Sequence, residues 1–172
     1  SFYRNKKNWL LIAGVIAGVL IGRFGQTSDS NTIPINEKSI AVLPFDNLSN
    51  DQDDEYFADG MTEDILTELS KIKDLLVISR TTIMKYKDTN KSLKEIGKEL
   101  GVANILEGSI RRVGERVRIT GQLINAMSDK HLWAEKYDRD IEDIFEVQDE
   151  VASSIANALR IELSDEEEMM IS

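Results

Sequence analysis

The chain has 172 residues, 41% hydrophobic and 30% charged, a composition that suits one folded domain plus an extra segment and argues against a disordered chain. It has no cysteine, which excludes disulfides, thiolate nucleophiles and Cys-based zinc sites. The net charge of −10 is uneven: Arg4, Lys6, Lys7 and Arg23 against Asp29 leave +3 before residue 30 and −13 after it, too acidic for a phosphate backbone to be a partner of the later part.

Residues 1–8 read as a basic stub on the cytoplasmic side. Residues 9–21 (WLLIAGVIAGVLI) run on to Gly22 without a charge. The run is shorter than the usual span of about 20 residues. Trp9 and Phe24 suit the interfacial belts, and Lys7 and Arg23 can snorkel, so residues 9–24 are expected to form one transmembrane helix. A cleaved signal peptide is the competing reading, but no small-x-small cleavage site follows. Positive charge before the span places the N-terminus inside and the rest outside the cytoplasm. Gly14, Gly18 and Gly22 share a helix face and could bring two spans together as a homodimer, although glycine is also simply common in spans. The chain starts at Ser1 and stops after an acidic run, which reads as a piece of a longer protein.

Residues 25–38 are a polar linker. Residues 40–45 (IAVLPF) have the unbroken apolar pattern of a central strand that Pro44 ends. An acidic loop, residues 46–54, leads to a helix with Phe57, Met61, Ile65, Leu69 and Ile72 on one stripe and Gly60 inside it. Residues 75–79 (LLVIS) complete a βαβ unit, so the two strands should be parallel. Ser92 and Glu95 form a capping box for a second helix that Gly101 stops. Residues 104–113 and 116–125 form a hairpin across Gly114-Glu115, residues 131–137 a further strand, and Asp140 caps a last helix with Ile144, Val147, Val151, Ile155 and Leu159 inward. The fold class is α/β, a mixed sheet in the order β-α-β-α-β-β-β-α, as one domain over 39–163. Residues 164–172 are an acidic tail or linker.

No nucleophile elbow, phosphate loop or dinucleotide fingerprint occurs, so no catalytic, cofactor-binding or metal-binding residue is assigned and no cofactor is expected. His131 is alone and reads as structural or surface. The acidic residues of 46–55 lack the glycine and terminal Glu of an EF-hand loop. Ser79, Arg80, Thr81 and Thr82 follow the end of a parallel strand, where open sheets bind ligands, and are the candidate ligand edge. Arg111, Arg112, Arg116 and Arg118 cluster on the hairpin. They are expected to pair with Glu107, Glu115 and cross-strand carboxylates, or else to form a partner surface. Trp133 and Tyr137 share a strand face and suit the core.

Several stretches carry a family resemblance: SIAVLPFDNLSNDQDDEYFADGMTEDILTELSKI from Ser39, then LLVISRTT, IGKELGVANILEGSIRRVGERVRITGQLINA and HLWAEKYDRDIEDIFEVQDEVA. In order and spacing they resemble the TolB N-terminal-like domain of bacterial membrane-anchored signalling proteins. The resemblance implies a module between a transmembrane helix and tetratricopeptide repeats, often in cyclase, winged-helix or kinase fusions. It implies protein or ligand binding in the periplasm rather than catalysis by this segment. Two alternatives remain, a regulatory segment of a class III adenylate or guanylate cyclase and a structural envelope scaffold. Met127-Ser128-Asp129-Lys130 departs from the family, where a Gly-containing turn is common.

Overall fold

A computed structural model describes residues 35–49, 51 and 54–171; the basic stub, the apolar run 9–24 with Gly14, Gly18 and Gly22, and most of the linker lie outside the described residues. Strand β1 (Ser39–Val42) is buried throughout. Its two neighbours, β3 (Leu76–Val77) and β4 (Asn104–Val113), both run parallel to it. A strand covered on both faces needs no polar side, which accounts for the unbroken apolar run. After Pro44 the chain forms a two-residue strand, β2 (Asp46–Asn47), against Ser109 and Ile110 of β4. The stretch expected to be a loop thus begins as part of the sheet.

Helix α1 (Asp54–Ser70) buries Ala58, Met61, Thr62, Ile65 and Leu69. Thr62 belongs to that face because its Oγ1 accepts from the Phe45 backbone N–H at 3.0 Å and donates to the Ala58 carbonyl at 2.9 Å. Phe57 is only partly buried. Beyond β3, a helical turn α2 (Arg80–Ile83) runs into a 3₁₀ turn (Met84–Tyr86). Helix α3 (Leu93–Leu100) has the expected capping box, Ser92 with Glu95, and ends on Gly101 in the left-handed region at φ 68°.

Strands β4, β5 (Arg116–Asn125) and β6 (Lys130–Asp140) form an antiparallel meander. Gly114 supplies the positive φ, 63°, of the first turn. In the second turn Asp129 takes φ 56° without a glycine, a conformation that Asp tolerates better than most residues. The last main helix, α4 (Ile144–Ala158), follows a 3₁₀ turn (Ile141–Asp143). Asp140 makes no capping hydrogen bond there; its carboxylate faces Arg116 at 3.2 Å instead.

Residues 165–171, expected as tail, form a further helix, α5 (Asp165–Ile171). Ser164 and Glu167 cap it reciprocally. The Lys73 backbone N–H donates to Glu167 Oε1 at 2.8 Å. That donor, with the Ser164 side chain and backbone, holds the Glu167 carboxyl down to about 2.

The sheet order is β3-β1-β4-β5-β6, with β2 also beside β4. Residues facing one another across β4 and β5 share a face. Leu106 with Leu123, Gly108 with Gly121 and Ile110 with Ile119 point inward, into a core shared with α1 and α4. A smaller cluster of Ala41, Ile83, Ile96, Val102, Ile105 and Ala126 lies on the other face, under α2 and α3. It covers β1 and the start of β4 only. Among the described residues no helix is long and apolar enough to cross a membrane.

The glycine pair is tightly occupied. A Cβ on Gly108 would meet the Thr120 carbonyl at 2.5 Å and the Phe45 ring at 2.6 Å, and one on Gly121 would meet the Trp133 ring at 3.0 Å. Gly60 is the opposite case, with nothing within 4 Å of an added Cβ, so close packing does not demand glycine there. Gly108→Ala should lower the unfolding free energy by about 1–3 kcal/mol, the usual cost of overpacking. Gly60→Ala should raise it by up to about 1 kcal/mol; denaturant titration reads both signs.

Candidate functional site

Among the described residues, no helix lies over the outward face of the meander. Glu107 and Gln122, Ser109 and Thr120, and Arg111 and Arg118 face one another there, continued on β6 by Lys136, Asp138 and Asp140. The register therefore brings Arg111, Arg116 and Arg118 onto this open face. Arg112 goes to the other side, where it meets the buried Asp54 of α1 at 3.3 Å. Two of the arginines make the expected cross-strand pairs with carboxylates. Arg118 grips Asp138 through Nε at 2.7 Å and Nη2 at 3.3 Å, and Arg116 reaches Asp140. Neither Glu107 nor Glu115 has an arginine partner among the described residues, because the β5–β6 register sets aspartates directly opposite Arg116 and Arg118. Val113, at the end of this face, is 71% exposed.

Where the open face meets α3, a cleft of about 290 Å³ opens. The end of β1 supplies Leu43 and Pro44, and α3 supplies Leu93 and Ile96, so one side is apolar. Glu107, Ser109 and Gln122 come from the sheet, Asp46 from β2, and Tyr86, Asp88, Thr89 and Lys91 from the connection before α3. That connection is tied down. Lys87 binds Asp59 at 2.8 Å and also Glu55, both on α1, and these two carboxylates raise its pKa. Tyr86 donates to Glu99 at 3.0 Å, and Lys91 holds both oxygens of Glu99 at 2.7 Å. The Lys91 charge is thereby committed to Glu99.

Glu107 is the cleft's unsatisfied group. Burial pushes its carboxyl above the ordinary 4.5, Asp46 and Asp129 push the same way, and His131 opposes them. No hydrogen bond or ion pair to the Glu107 carboxylate occurs among the described residues. A half-buried carboxylate without a partner is destabilising, and such groups concentrate at functional sites. Its neighbours suit binding of a cationic group. Among the described residues no three His, Asp or Glu side chains are placed to hold a metal ion.

The four residues of the candidate ligand edge do not line the cleft. Ser79 precedes α2, with its Oγ 3.1 Å from Thr82 Oγ1. Arg80 turns to Glu63 of α1 at 3.3 Å, and Thr81 is exposed. Sequence reasoning found the segment leaving the parallel strand but missed Glu107, which looks like any outward residue of an alternating strand. His131 is exposed. Trp133 lies partly buried over Gly121 with its Nε1 lacking a hydrogen-bond partner among the described residues, and Tyr137 is buried.

Residues 36–154 match the family model described as HilA/YgeH-like transcriptional regulator, second domain. Over 130 residues the chain is 54% identical to a protein of Rhizobium meliloti (strain 1021) named "Putative adenylate cyclase 3", covering 76% of this chain and 22% of that protein. The chain thus spans under a quarter of that curated relative's length. Among solved structures it is similar to TolB from Acinetobacter baumannii, with TM-score 0.53 and 18% identity, covering 70% of this chain and 28% of that one. Lipoprotein GNA1162 from Neisseria meningitidis gives TM-score 0.52 and 17% identity, covering 69% and 98%. The C-terminal domain of LpoB from Salmonella enterica gives 0.50 and 16%, covering 60% and 83%. These likenesses show the fold: the mixed α/β domain is TolB-like.

A carboxyl whose folded pKa is raised stabilises the fold fully below its unfolded pKa, and that contribution is lost as pH rises through the folded value. Glu107→Gln should therefore raise the melting temperature at pH 7. The gain over the parent chain should disappear below about pH 4, where Glu107 is protonated folded or unfolded; calorimetry across a pH series checks both.

Proposed function

Because the chain belongs, through residues 36–154, to the family of HilA/YgeH-like transcriptional regulator second domains, we propose that its TolB-like domain is a non-catalytic binding module of a longer protein. The module meets a protein partner and relays that contact to the domains joined to it. The observation that carries this reading is the uncovered face of β4, β5 and β6, a polar platform with Arg111, Arg116 and Arg118 on it and a cleft at its border. Antiparallel sheets commonly leave one face to water; this one is backed by the α1 and α4 core, a rigid platform for a partner.

The module is further proposed to be held at a bacterial inner membrane by residues 9–24 and to lie outside the cytoplasm. Arg4, Lys6 and Lys7 ahead of that apolar run support this orientation. Gly14, Gly18 and Gly22 would let two spans approach and pair two modules. The 54% identity to a protein named as an adenylate cyclase favours a second reading of the output, in which the intact protein carries a nucleotide cyclase that this module regulates.

The chain has no cysteine, so Ser128→Cys, in the exposed turn between β5 and β6, makes a clean topology probe. A membrane-impermeant maleimide, with any outer membrane permeabilised, should label it before the inner membrane is lysed. Labelling only after lysis would place the module in the cytoplasm and overturn the envelope reading.

A further inference from the structure

We propose that the cleft beside Glu107 receives an arginine side chain from the module's protein partner. The inference rests on the binding-module reading and specifies its anchor. Size is the first argument. Pockets for drug-sized ligands or cofactors start near about 300 Å³, and this cleft of about 290 Å³ lies at that lower limit, suited to one long side chain. The second argument is the division of its lining. Leu43, Pro44, Leu93 and Ile96 offer an apolar wall for a methylene stem, and Glu107 and Asp46 offer negative charge to a head group. Long cationic side chains have that division, an apolar stem and a charged tip.

Charge selects against an anion. Asp46, Asp88 and Glu107 line the cleft, and the one lysine, Lys91, is held by Glu99. Arginine suits it better than lysine, since a guanidinium is more weakly hydrated and can meet a carboxylate with two parallel N–H donors. Ser109 and Gln122, beside Glu107, add acceptor oxygens for its remaining donors. Binding would also give the Glu107 carboxylate hydrogen-bond donors, which it lacks among the described residues, so the interaction offsets its desolvation. Continuity points to a protein as the source. Ser109 and Gln122 line the cleft and also belong to the open sheet face, so a chain lying across that face would bring a side chain to the cleft mouth.

The test uses the whole chain in lipid nanodiscs and ligand-observed NMR, with N-acetyl-argininamide as probe and the neutral, nearly isosteric N-acetyl-citrullinamide as its match. The expected result is millimolar binding of the arginine compound, at least tenfold weaker binding of the citrulline compound, and at least a tenfold loss in Glu107→Gln. Thr67→Ala, on the exposed side of α1 away from the cleft and the open face, should bind as the parent does. A thermal melt of Glu107→Gln checks that the variant is folded. Equal binding of the two compounds, or full binding by a folded Glu107→Gln chain, would overturn the anchor. If neither compound binds while a partner still shields the sheet face in native membranes, the arginine anchor falls and the module reading stands.

Discussion

Two aromatic rings over two glycines fix the architecture. Gly108 and Gly121 face each other across the β4–β5 hairpin, and Phe45 and Trp133 close over them. A side chain at either glycine would push a ring away, most severely at Gly108, where backbone as well as ring is in reach. Phe45 ties the end of β1 to the hairpin, and Trp133 ties β6 to it. Both rings lie on the inward face, so α1 and α4 must pack there as well. The outward face is left to water and to whatever the module binds.

The cleft follows from the same asymmetry. Among the described residues only α2 and α3 lie on the outward side, over β1 and the start of β4, and the cleft is the step where their cover ends. Its rim is held by Lys87 to α1 and by Tyr86 and Lys91 to Glu99. Exposed ion pairs of this kind add little stability; here they tie the connection to α1 and α3. The carboxylate left without a partner works against the fold. Natural domains carry such local conflicts mainly at functional positions.

How much of this was legible in the sequence depended on the range of the signal. The βαβ unit, the capping box at Ser92 and Glu95, and the hairpin about Gly114 each announce themselves within a few residues, and each is present. Strand β2 has two residues and helix α2 four, too few to show a period. Helix α5 looked like a tail because its first turn is wholly acidic, whereas its docking depends on Glu167 meeting the distant Lys73 backbone. Cross-strand carboxylates were expected for the arginines, but that they are Asp138 and Asp140, not Glu107 or Glu115, needed the β5–β6 register, which no local pattern encodes. Glu107 was illegible for a similar reason: the cleft it lines is shared with Leu43, Leu93 and Ile96, which lie on other elements.

The central claim is that the open sheet face is a contact surface in the intact protein. Lys136 is exposed on β6, on that face and opposite Thr120, and Thr67 is exposed on α1. Each can be changed to cysteine in a chain that has none, and its reaction rate with N-ethylmaleimide compared in native membranes and after purification. A Lys136→Cys chain that reacts several-fold more slowly in native membranes, with Thr67→Cys unchanged, is the predicted result. Equal rates for Lys136→Cys in both settings would contradict the account, because the face would then be bare where the protein works.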